Sequence, residues 1–372
     1  MHDIKMKLAI IGASSGQLPL CLKANEMGLE THCFAWEKGA VCKNAATVFH
    51  PISILEKDQI VEKCRQLHIN GVVSNASELT AEISAYVSEK LGLNGTPYRV
   101  MERLHNKYYV RKLSEDVKGL SKLKFYKYDG KDQNLYPCVV KPCSGSSKIG
   151  VSFVKDAKDF ESAITYAKES SDEDILVEEY IDGRELSVES ISYLGKHYVI
   201  QLTDKDSSAA PHFVELGHHQ PANIPISLRS KIEIVISDFL NKIGYTNGAS
   251  HIEVKCDAGN IYLIEANLRG GGDEISNRLV QLSSGIDYLR CMIEVALNTF
   301  IKPTQISTPS YAGIYFLCKQ TSYLKPFFEQ SEGKEWLIEE RISSTDLKES
   351  HSNYEHNGYL IYKSDRKIIP QI

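Results

Sequence analysis

The sequence has no apolar run that approaches the ~20 residues a helix needs to cross a bilayer, so no membrane partner is expected. Its first residues, Met1–Ile11, lack the long apolar stretch and the small-residue cleavage site of a secretion signal, and we therefore expect a cytoplasmic protein. Positive charge is not in excess, because 43 Lys and Arg residues stand against 48 Asp and Glu, a formal net charge of −5. A nucleic-acid partner is therefore not expected.

The nine cysteines form no Cys-x-x-Cys pair, and several lie within apolar runs. This distribution predicts reduced thiols in the core, and argues against disulfides or a zinc site. The adjacent His218 and His219 lack a third ligand at a suitable spacing, so we expect them to make hydrogen bonds in the core or behind a site and not to bind zinc.

The chain does have 372 residues, which is enough for two or three domains. Glycines 12 and 16 follow the first apolar run, but their spacing differs from the Gly-x-Gly-x-x-Gly pattern of a dinucleotide site and predicts a structural turn. Short strands alternate with helical stretches in this first part, as in a doubly wound parallel sheet. The predicted strands are Lys7–Ile11, Thr31–Trp36, Thr47–Phe49 and Gly71–Ser74.

A helix is predicted from Ser77 to Leu91, ending at Gly92. Glu78 in its first turn has two interpretations: it could stabilise the helix dipole, or it could line a substrate pocket.

The segment 248–273 predicts a β-hairpin with oxygen ligands for a metal ion. Alternating apolar residues flank a turn at Asp257–Asn260. Glu265 and Asn267 share one face of the second strand because side chains alternate along a strand, and Glu253 lies on the first strand. Oxygen ligands of this kind suit magnesium.

Two further segments predict a place for a nucleotide. Lys141 ends an apolar strand and is followed by a Ser- and Gly-rich loop whose backbone could approach phosphate closely, although it is not a Walker loop. The run Asp174–Ile191 predicts two strands joined near Gly183, a connection that could offer backbone groups to adenine.

Taken in order, these segments resemble the ATP-grasp superfamily, over about residues 5 to 300, and most closely its carboxylate–amine ligases, which include the L-amino-acid ligases. The resemblance implies an α/β protein with the ATP-grasp fold: an amino-terminal doubly wound (Rossmann-like) domain, a small α+β lid and a carboxy-terminal α+β domain. The implied ranges are 1–95 for the first domain, 96–114 for a linker helix region, 115–182 for the lid and 183–372 for the last domain.

The resemblance also implies a role for individual residues. Arg269 would face an acyl phosphate, with Lys141, Gly271 and Gly272 beside it. Glu185 would bind ribose. The metal ligands would be Glu253, Glu265 and Asn267, with Glu265 bridging two ions. The other nucleotide contacts would be Lys107 and Lys141 on the α- and β-phosphates, the loop residues Ser144, Gly145, Ser146 and Ser147, and the adenine-reading connection Glu178, Glu179, Tyr180 and Ile181.

The polar stretch from Thr203 to Pro221 predicts a long covering loop. Related ligases have a mobile loop here, so Lys205 and His212 would reach phosphate when it closes. After Pro303 only about 70 residues remain, fewer than in the larger amino-acid ligases, with predicted strands at Tyr311–Leu317 and Gly358–Tyr362.

The resemblance implies an ATP-dependent ligase, with magnesium or alternatively manganese, that joins a small carboxylate to an amine through an acyl phosphate. A homodimer is the default expectation. A bicarbonate-activating carboxylase and a non-catalytic nucleotide-binding protein are the alternatives. Glu253, Glu265, Asn267 and Arg269 argue against a mere binder.

Overall fold

A parallel sheet of four short strands forms the first part of the computed structural model, which describes residues 5–145, 149–208, 213–304, 310–350 and 355–370. Leu8 and Ile10 pack on one face of this sheet, and Ala9 and Ile11 pack on the other. Both faces are therefore covered, as a doubly wound sheet requires. The strands are β1 (Lys7–Ile11), β2 (Glu30–Phe34), β3 (Val48–His50) and β4 (Gly71–Val73), in the order β3-β2-β1-β4.

Helices cover both faces of this sheet and lead out of it. The Ser77 side chain accepts a hydrogen bond from the Thr80 N–H at the start of the third helix, and Gly92 ends that helix in a left-handed conformation. These caps satisfy free backbone groups at the two ends, so the predicted helix is confirmed. The helices are α1 (Leu18–Glu26), α2 (Lys57–Leu67), α3 (Glu78–Leu91), α4 (Tyr98–Leu104) and α5 (Lys107–Ser114), with a 3₁₀ turn at Val41–Asn44.

A small antiparallel sheet with one α-helix on it follows. Phe160 and Ile164 of the helix pack against Val140 and Val177 of the sheet. The elements are β5 (Phe125–Lys127), β6 (Cys138–Pro142), β7 (Ser152–Val154), a 3₁₀ turn (Ala157–Asp159), α6 (Phe160–Ser170) and β8 (Ile175–Glu179), with strand order β5-β8-β6-β7.

An eight-stranded sheet forms the rest of the chain, with strand order β13-β12-β9-β10-β11-β14-β16-β15. The predicted hairpin is its β12–β13 pair, and the two predicted late strands are β14 and β16. The strands are β9 (Arg184–Tyr193), β10 (Lys196–Ser207), β11 (Glu215–Gln220), β12 (Gly248–Asp257), β13 (Asn260–Asn267), β14 (Tyr311–Leu317), β15 (Leu337–Ile342) and β16 (Gly358–Ser364). The helical elements are α7 (Ile226–Ile243), a π-helix (Ile275–Leu279), α8 (Val280–Ser284), α9 (Tyr288–Ala296), a 3₁₀ helix (Lys319–Leu324) and α10 (Lys325–Glu329).

The prediction of a long covering loop from Thr203 to Pro221 is wrong. Most of this stretch forms the antiparallel pair β10–β11, in which Lys205 lies opposite His218 and Asp204 opposite His219. The connection is limited to residues 208–214, and His212 lies outside the described residues. Hydropathy conceals these strands because their buried side chains are polar and charged.

All nine cysteines are free and buried, as predicted. A search of the described residues finds no helix that is both long and apolar enough to span a membrane. The predicted domain boundaries remain a proposal.

Candidate active site

A cleft of about 1030 Å³ lies where the three sheets meet. Its walls are the turn after β1, the start of α3, strands β6 and β8 of the small sheet, and one face of the large sheet. This cleft brings together the described site residues named from the sequence, with Gly271 packed behind its wall. Ser146, Ser147 and His212 lie outside the described residues.

One end of the cleft holds two lysines. Lys107 is the first residue of α5, where the Asn106 side chain caps the helix by accepting from the Tyr109 N–H. Its Nζ donates to the carbonyl of Gly145, 2.6 Å away, and lies 3.7 Å from Glu265 Oε1. The lysine therefore spans the distance between the Ser- and Gly-rich loop and a predicted metal ligand.

Lys141 belongs to a buried ion cluster at the same end. Its Nζ lies 2.6 Å from Glu178 Oε1, and Arg111 approaches the same carboxylate with Nε at 2.7 Å and Nη2 at 3.2 Å. Burial alone would raise the pKa of Glu178, but the charges of Arg111 and Lys141 hold it at about 2. The Glu178 side chain therefore holds two cations in place, and its backbone is paired with β5 and β6, so this residue, contrary to the prediction, does not contact adenine.

The connection from β8 to β9 forms the nucleotide-base wall. The Glu179 N–H donates to the Lys124 carbonyl, and the Ile181 carbonyl accepts from Lys255 Nζ at 3.2 Å. The carbonyl of Glu179 and the N–H of Ile181 are the remaining backbone groups of these two residues. Tyr180 stacks on Phe213 with ring centroids 5.9 Å apart, which adds an aromatic surface to this wall.

Lys205 is the centre of a second buried ion cluster. Its Nζ lies 2.6 Å from Glu253, 3.1 Å from Glu185 and 3.1 Å from Glu215. Burial would lower the pKa of Lys205, but these three carboxylates raise it well above its usual range. Lys205 is therefore a charged strand residue that joins the predicted ribose ligand to a predicted metal ligand.

His251 extends this cluster beneath the glycine-rich turn. Its Nδ1 lies 2.8 Å from Glu189 and its Nε2 lies 3.2 Å from Glu253. Burial lowers the pKa of His251, but the two carboxylates outweigh burial and raise it to about 9. A Cβ on Gly271 would lie 2.8 Å from His251 Nδ1, so this position requires glycine for packing.

The predicted metal ligands stand side by side on β12 and β13. Glu253 lies opposite Glu265, and a bulge at this point omits Ile264 from the register. Asn267 is buried, and its Oδ1 atom has no hydrogen-bond partner among the described residues. A buried carboxamide oxygen normally has a partner, so this atom fits a metal ligand.

Of the two predicted carboxylate ligands, Glu253 already has one oxygen atom occupied by cationic side chains of the protein. Lys205 and His251 both contact Oε1 of Glu253, and together they hold the pKa of Glu253 well below its usual range although burial would raise it. No three His, Cys, Asp or Glu side chains of the described ranges cluster as metal ligands on their own. The set fits magnesium only as two carboxylates and one carboxamide completed by water and phosphate oxygens.

Arg269 and the three glycines after it form a turn over the cleft. The Arg269 Nε atom is buried without a hydrogen-bond partner in the described structure, and Nη1 donates to the Gly270 carbonyl. A Cβ on Gly270 would overlap Asn75 Oδ1, whereas a Cβ on Gly272 would meet nothing within 4 Å. Gly270 and Gly271 are thus required for packing, and Gly272 faces open space.

The opposite wall carries Glu78, the first residue of α3. His105 Nδ1 lies 3.5 Å from Glu78, and its Nε2 lies 2.9 Å from Glu82. Hydrogen bonds to both carboxylates raise the pKa of His105 to about 9. Although burial would raise the pKa of Glu78, the neighbouring charges of His105, Arg269 and Lys107 lower it. Glu78 therefore fits both of its predicted roles.

Sequence reasoning missed Arg111, Glu189, Glu215, His105 and His251. Arg111 stands four residues after Lys107, on the same face of α5. The four-residue spacing is the sequence feature from which Arg111 could have been predicted as a site residue. The others are single polar residues in strands or at a helix end, and their convergence depends on strand order.

Residues 134–277 match the model of the ATP-grasp domain family. The chain therefore contains an ATP-grasp domain, and the predicted resemblance is confirmed. Over 187 residues it is 26% identical to a formate-dependent phosphoribosylglycinamide formyltransferase of Corynebacterium jeikeium, covering 47% of this chain and 46% of that protein. Over 213 residues it is 27% identical to a D-alanine–D-alanine ligase of Geotalea uraniireducens, covering 56% of this chain and 61% of that ligase. The chain thus spans less than two thirds of each relative.

The structure resembles that of an L-amino acid ligase from Bacillus licheniformis, with a TM-score of 0.82 and 22% sequence identity. The match covers 97% of this chain and 94% of that chain. This likeness confirms the predicted fold class. It does not establish the function, because one fold can carry many functions.

Proposed function

We propose that this protein is an ATP-dependent, ADP-forming ligase that joins a carboxylate to an amine through an acyl phosphate. The observation that carries the proposal is the pair of buried, unpartnered polar atoms, Asn267 Oδ1 and Arg269 Nε, two residues apart at the edge of one cleft. One is an acceptor suited to a cation, and the other is a donor suited to an anion.

The nucleotide would occupy the end of the cleft with Lys107 and Lys141. Both lysines reach the cleft from different elements, and each is held by a carboxylate or carbonyl of the protein. Phosphate oxygens would take over part of these contacts, as lysine binds phosphate as a point charge. Adenine would lie against Tyr180 and Ile181, and Glu185 would accept from ribose.

Glu265, Asn267 and the free side of Glu253 would hold magnesium, or alternatively manganese. Magnesium, when bound, supplies positive charge beside the phosphoryl group that is transferred. Lys107 Nζ, 3.7 Å from Glu265, adds a protein charge at the same place. Glu253 is kept ionised by Lys205 and His251, so it is ready to accept a cation at any neutral pH.

Arg269 would act on the acyl side. A substrate carboxylate oxygen attacks the γ-phosphorus of ATP, and the bond to ADP breaks. Arg269 then stabilises the negative charge on the acyl phosphate and on the adduct formed when an amine attacks it, because preorganised donors are most effective where charge develops. Gly272, whose surroundings are open, leaves room for the substrate.

The test is ADP release with ATP and magnesium across amino acids and other small carboxylates, singly and in pairs, with mass spectrometry of products. Hydroxylamine as the amine should trap an acyl hydroxamate. Arg269→Lys should lose hydroxamate far more than ATP affinity, because lysine cannot replace the planar guanidinium.

Glu265→Gln should bind ATP but turn over at less than about a tenth of the wild-type rate, since it removes charge at the transferring group. ADP release that depends on bicarbonate, with no hydroxamate from any carboxylate, would favour the carboxylase alternative. ATP binding without turnover would favour the non-catalytic one. Substrate identity, a homodimer and a cytoplasmic location remain predictions.

A further inference from the structure

His218 is a buried side chain that lines the cleft without a hydrogen bond. It is 1% exposed, and neither ring nitrogen has a hydrogen-bond partner in the part of the chain that the structure describes. Buried polar groups without partners are rare in proteins. Both ring nitrogens therefore retain the capacity to hydrogen-bond a group that the described residues do not supply.

The position of His218 in the sheet places it beside the ion cluster of the site. His218 lies directly opposite Lys205 in the β10–β11 pair, so the two side chains share a face of the sheet. Lys205 in turn contacts Glu253 at 2.6 Å. His218 thus lies on the cleft side of the sheet, with two strands between β11 and β12, and the Lys205 side chain links its position to the predicted metal ligand Glu253.

A carboxylate from the arginine turn faces the ring. Asp273 Oδ2 lies 3.7 Å from His218 Nε2. Asp273 stands four residues after Arg269, and it adopts a left-handed conformation, φ 49°, as does Glu274, φ 64°. Such backbone conformations are costly for residues other than glycine, and they cluster where a side chain must be held in place.

Phe316 fixes the plane of the ring. It lies edge-on to His218 with centroids 5.7 Å apart, and it stacks on His356 at 4.4 Å. With Phe316 beside the ring and Asp273 toward Nε2, the Nδ1 atom remains for a group in the cleft. A histidine with a carboxylate near one nitrogen and no partner among the described residues at the other has the arrangement of a general base, although both nitrogens are buried in the protein alone.

We propose that His218 is a catalytic residue that takes the proton of the attacking amine. This role rests on the proposed function. The amine nitrogen attacks the carbonyl carbon of the acyl phosphate, the carbon–nitrogen bond forms, and the carbon–oxygen bond to phosphate breaks. The nitrogen loses one proton to His218, which passes it to the departing phosphate. Amine and acyl phosphate thus give amide and hydrogen phosphate, with no other reactant.

The neighbouring histidine provides a matched control. His219 points to the other face of β11, where its Nδ1 lies 3.0 Å from the Tyr362 hydroxyl and its Nε2 lies 3.0 Å from Asp206. Both of its nitrogens have partners, so a role in the cleft is not expected. His219→Asn should change amide and hydroxamate formation by the same factor.

The experiment compares two amines on one acyl phosphate. His218→Asn is assayed with ATP, magnesium and the standard amino acids, with and without hydroxylamine, whose nitrogen is already unprotonated at neutral pH and needs little help from a base. Amide formation between amino acids should fall roughly 10²- to 10⁴-fold, the usual contribution of general acid–base catalysis. Hydroxamate formation should fall less than about tenfold, because the acyl phosphate still forms.

Equal losses of amide and hydroxamate in a folded His218→Asn protein would overturn the role, and so would retention of both. If His218→Asn does not fold, Asp273→Asn is the test, because asparagine tolerates the left-handed backbone there. It should lower amide formation more than hydroxamate formation, and equal effects would again overturn the role. A wild-type protein that forms neither product would overturn the proposed function itself, and this role with it.

Discussion

Replacing Glu178 by glutamine should destabilise the protein in a way that depends on pH. Glu178 is 4% exposed and is the common partner of Arg111 and Lys141. Glutamine keeps the size and an oxygen acceptor but removes the charge, so two buried cations lose their counter-ion. Removing one partner of a buried ion pair is strongly destabilising, because it leaves the other charge buried without compensation.

The magnitude follows from the pKa of Glu178. The carboxyl group moves from its usual 4.5 to about 2 in the folded protein, and each unit corresponds to about 1.4 kcal/mol, so its charge contributes on the order of 3 kcal/mol. Because the folded-state pKa is lowered, this stabilisation is fully present above about pH 4.5 and is lost as pH falls toward about 2.

The assay is urea unfolding of the wild type and Glu178→Gln between neutral pH and about pH 3. The free energies of unfolding should differ by on the order of 3 kcal/mol at neutral pH, and this gap should narrow below about pH 4.5, where the carboxyl group of the unfolded wild type takes up its proton. Other carboxylates titrate in both proteins and cancel in the difference. Glu179→Gln, one residue along and half-buried, should cost less than about 1.5 kcal/mol because it alters one hydrogen bond to Lys124. A gap that stays constant with pH would refute the reasoning.

Three further changes test other parts of the cleft. Lys141→Ala should weaken ATP binding by roughly 1.5–3 kcal/mol, the range for a charge-assisted hydrogen bond; an unchanged dissociation constant in calorimetry, with the fold intact, would contradict this. Gly270→Ala should destabilise by about 1–3 kcal/mol through overlap with Asn75, whereas Gly272→Ala should change stability by less than about 0.5 kcal/mol; equal melting temperatures would be the contrary result. For His105, whose pKa is raised from 6.5 to about 9 by its hydrogen bonds to Glu78 and Glu82, the stabilisation is fully present below about pH 6.5 and is lost as pH rises through about 9. His105→Gln should therefore be less stable than the wild type by on the order of 3 kcal/mol at about pH 6, with the gap closing toward pH 9, and a gap that widens would contradict the ion pairs.

Local sequence patterns predicted the elements whose side chains follow a simple period or whose ends are capped. The first sheet, helix α3 and the β12–β13 hairpin belong to this group, because apolar alternation and the residues Ser77 and Gly92 act within a few positions. The same local patterns did not predict the β10–β11 pair. Its buried positions are filled by Asp204, Lys205 and Glu215, and a charged side chain indicates a buried strand only when its partners are known.

For the candidate site, the sequence predicted many of the residues that line the cleft but not the contacts between them. Lys107 and Glu265 could be named from motif order, but motif order does not show what each side chain contacts. That Glu178 binds Lys141, and that His251 lies between Glu189 and Glu253, follows from strands brought together across long separations in the sequence. Pairing of this kind is set by the packing of the whole sheet and has no local signal.

The charge of the cleft follows from the alternation of the large sheet. Leu186, Val188 and Ile252 pack against α7 on one face, so the residues between them face the cleft. On that face Lys205 and His251 contact a set of four carboxylates, Glu185, Glu189, Glu215 and Glu253. With the pKa of His251 raised to about 9, and with Lys255 Nζ 4.0 Å from Glu185, three positive groups stand against four negative ones at neutral pH. Glu265 and Lys107 balance each other nearby. The protein alone therefore leaves an excess of negative charge in the cleft that Asn267 lines, and a divalent cation would neutralise that excess before a phosphate chain could approach it.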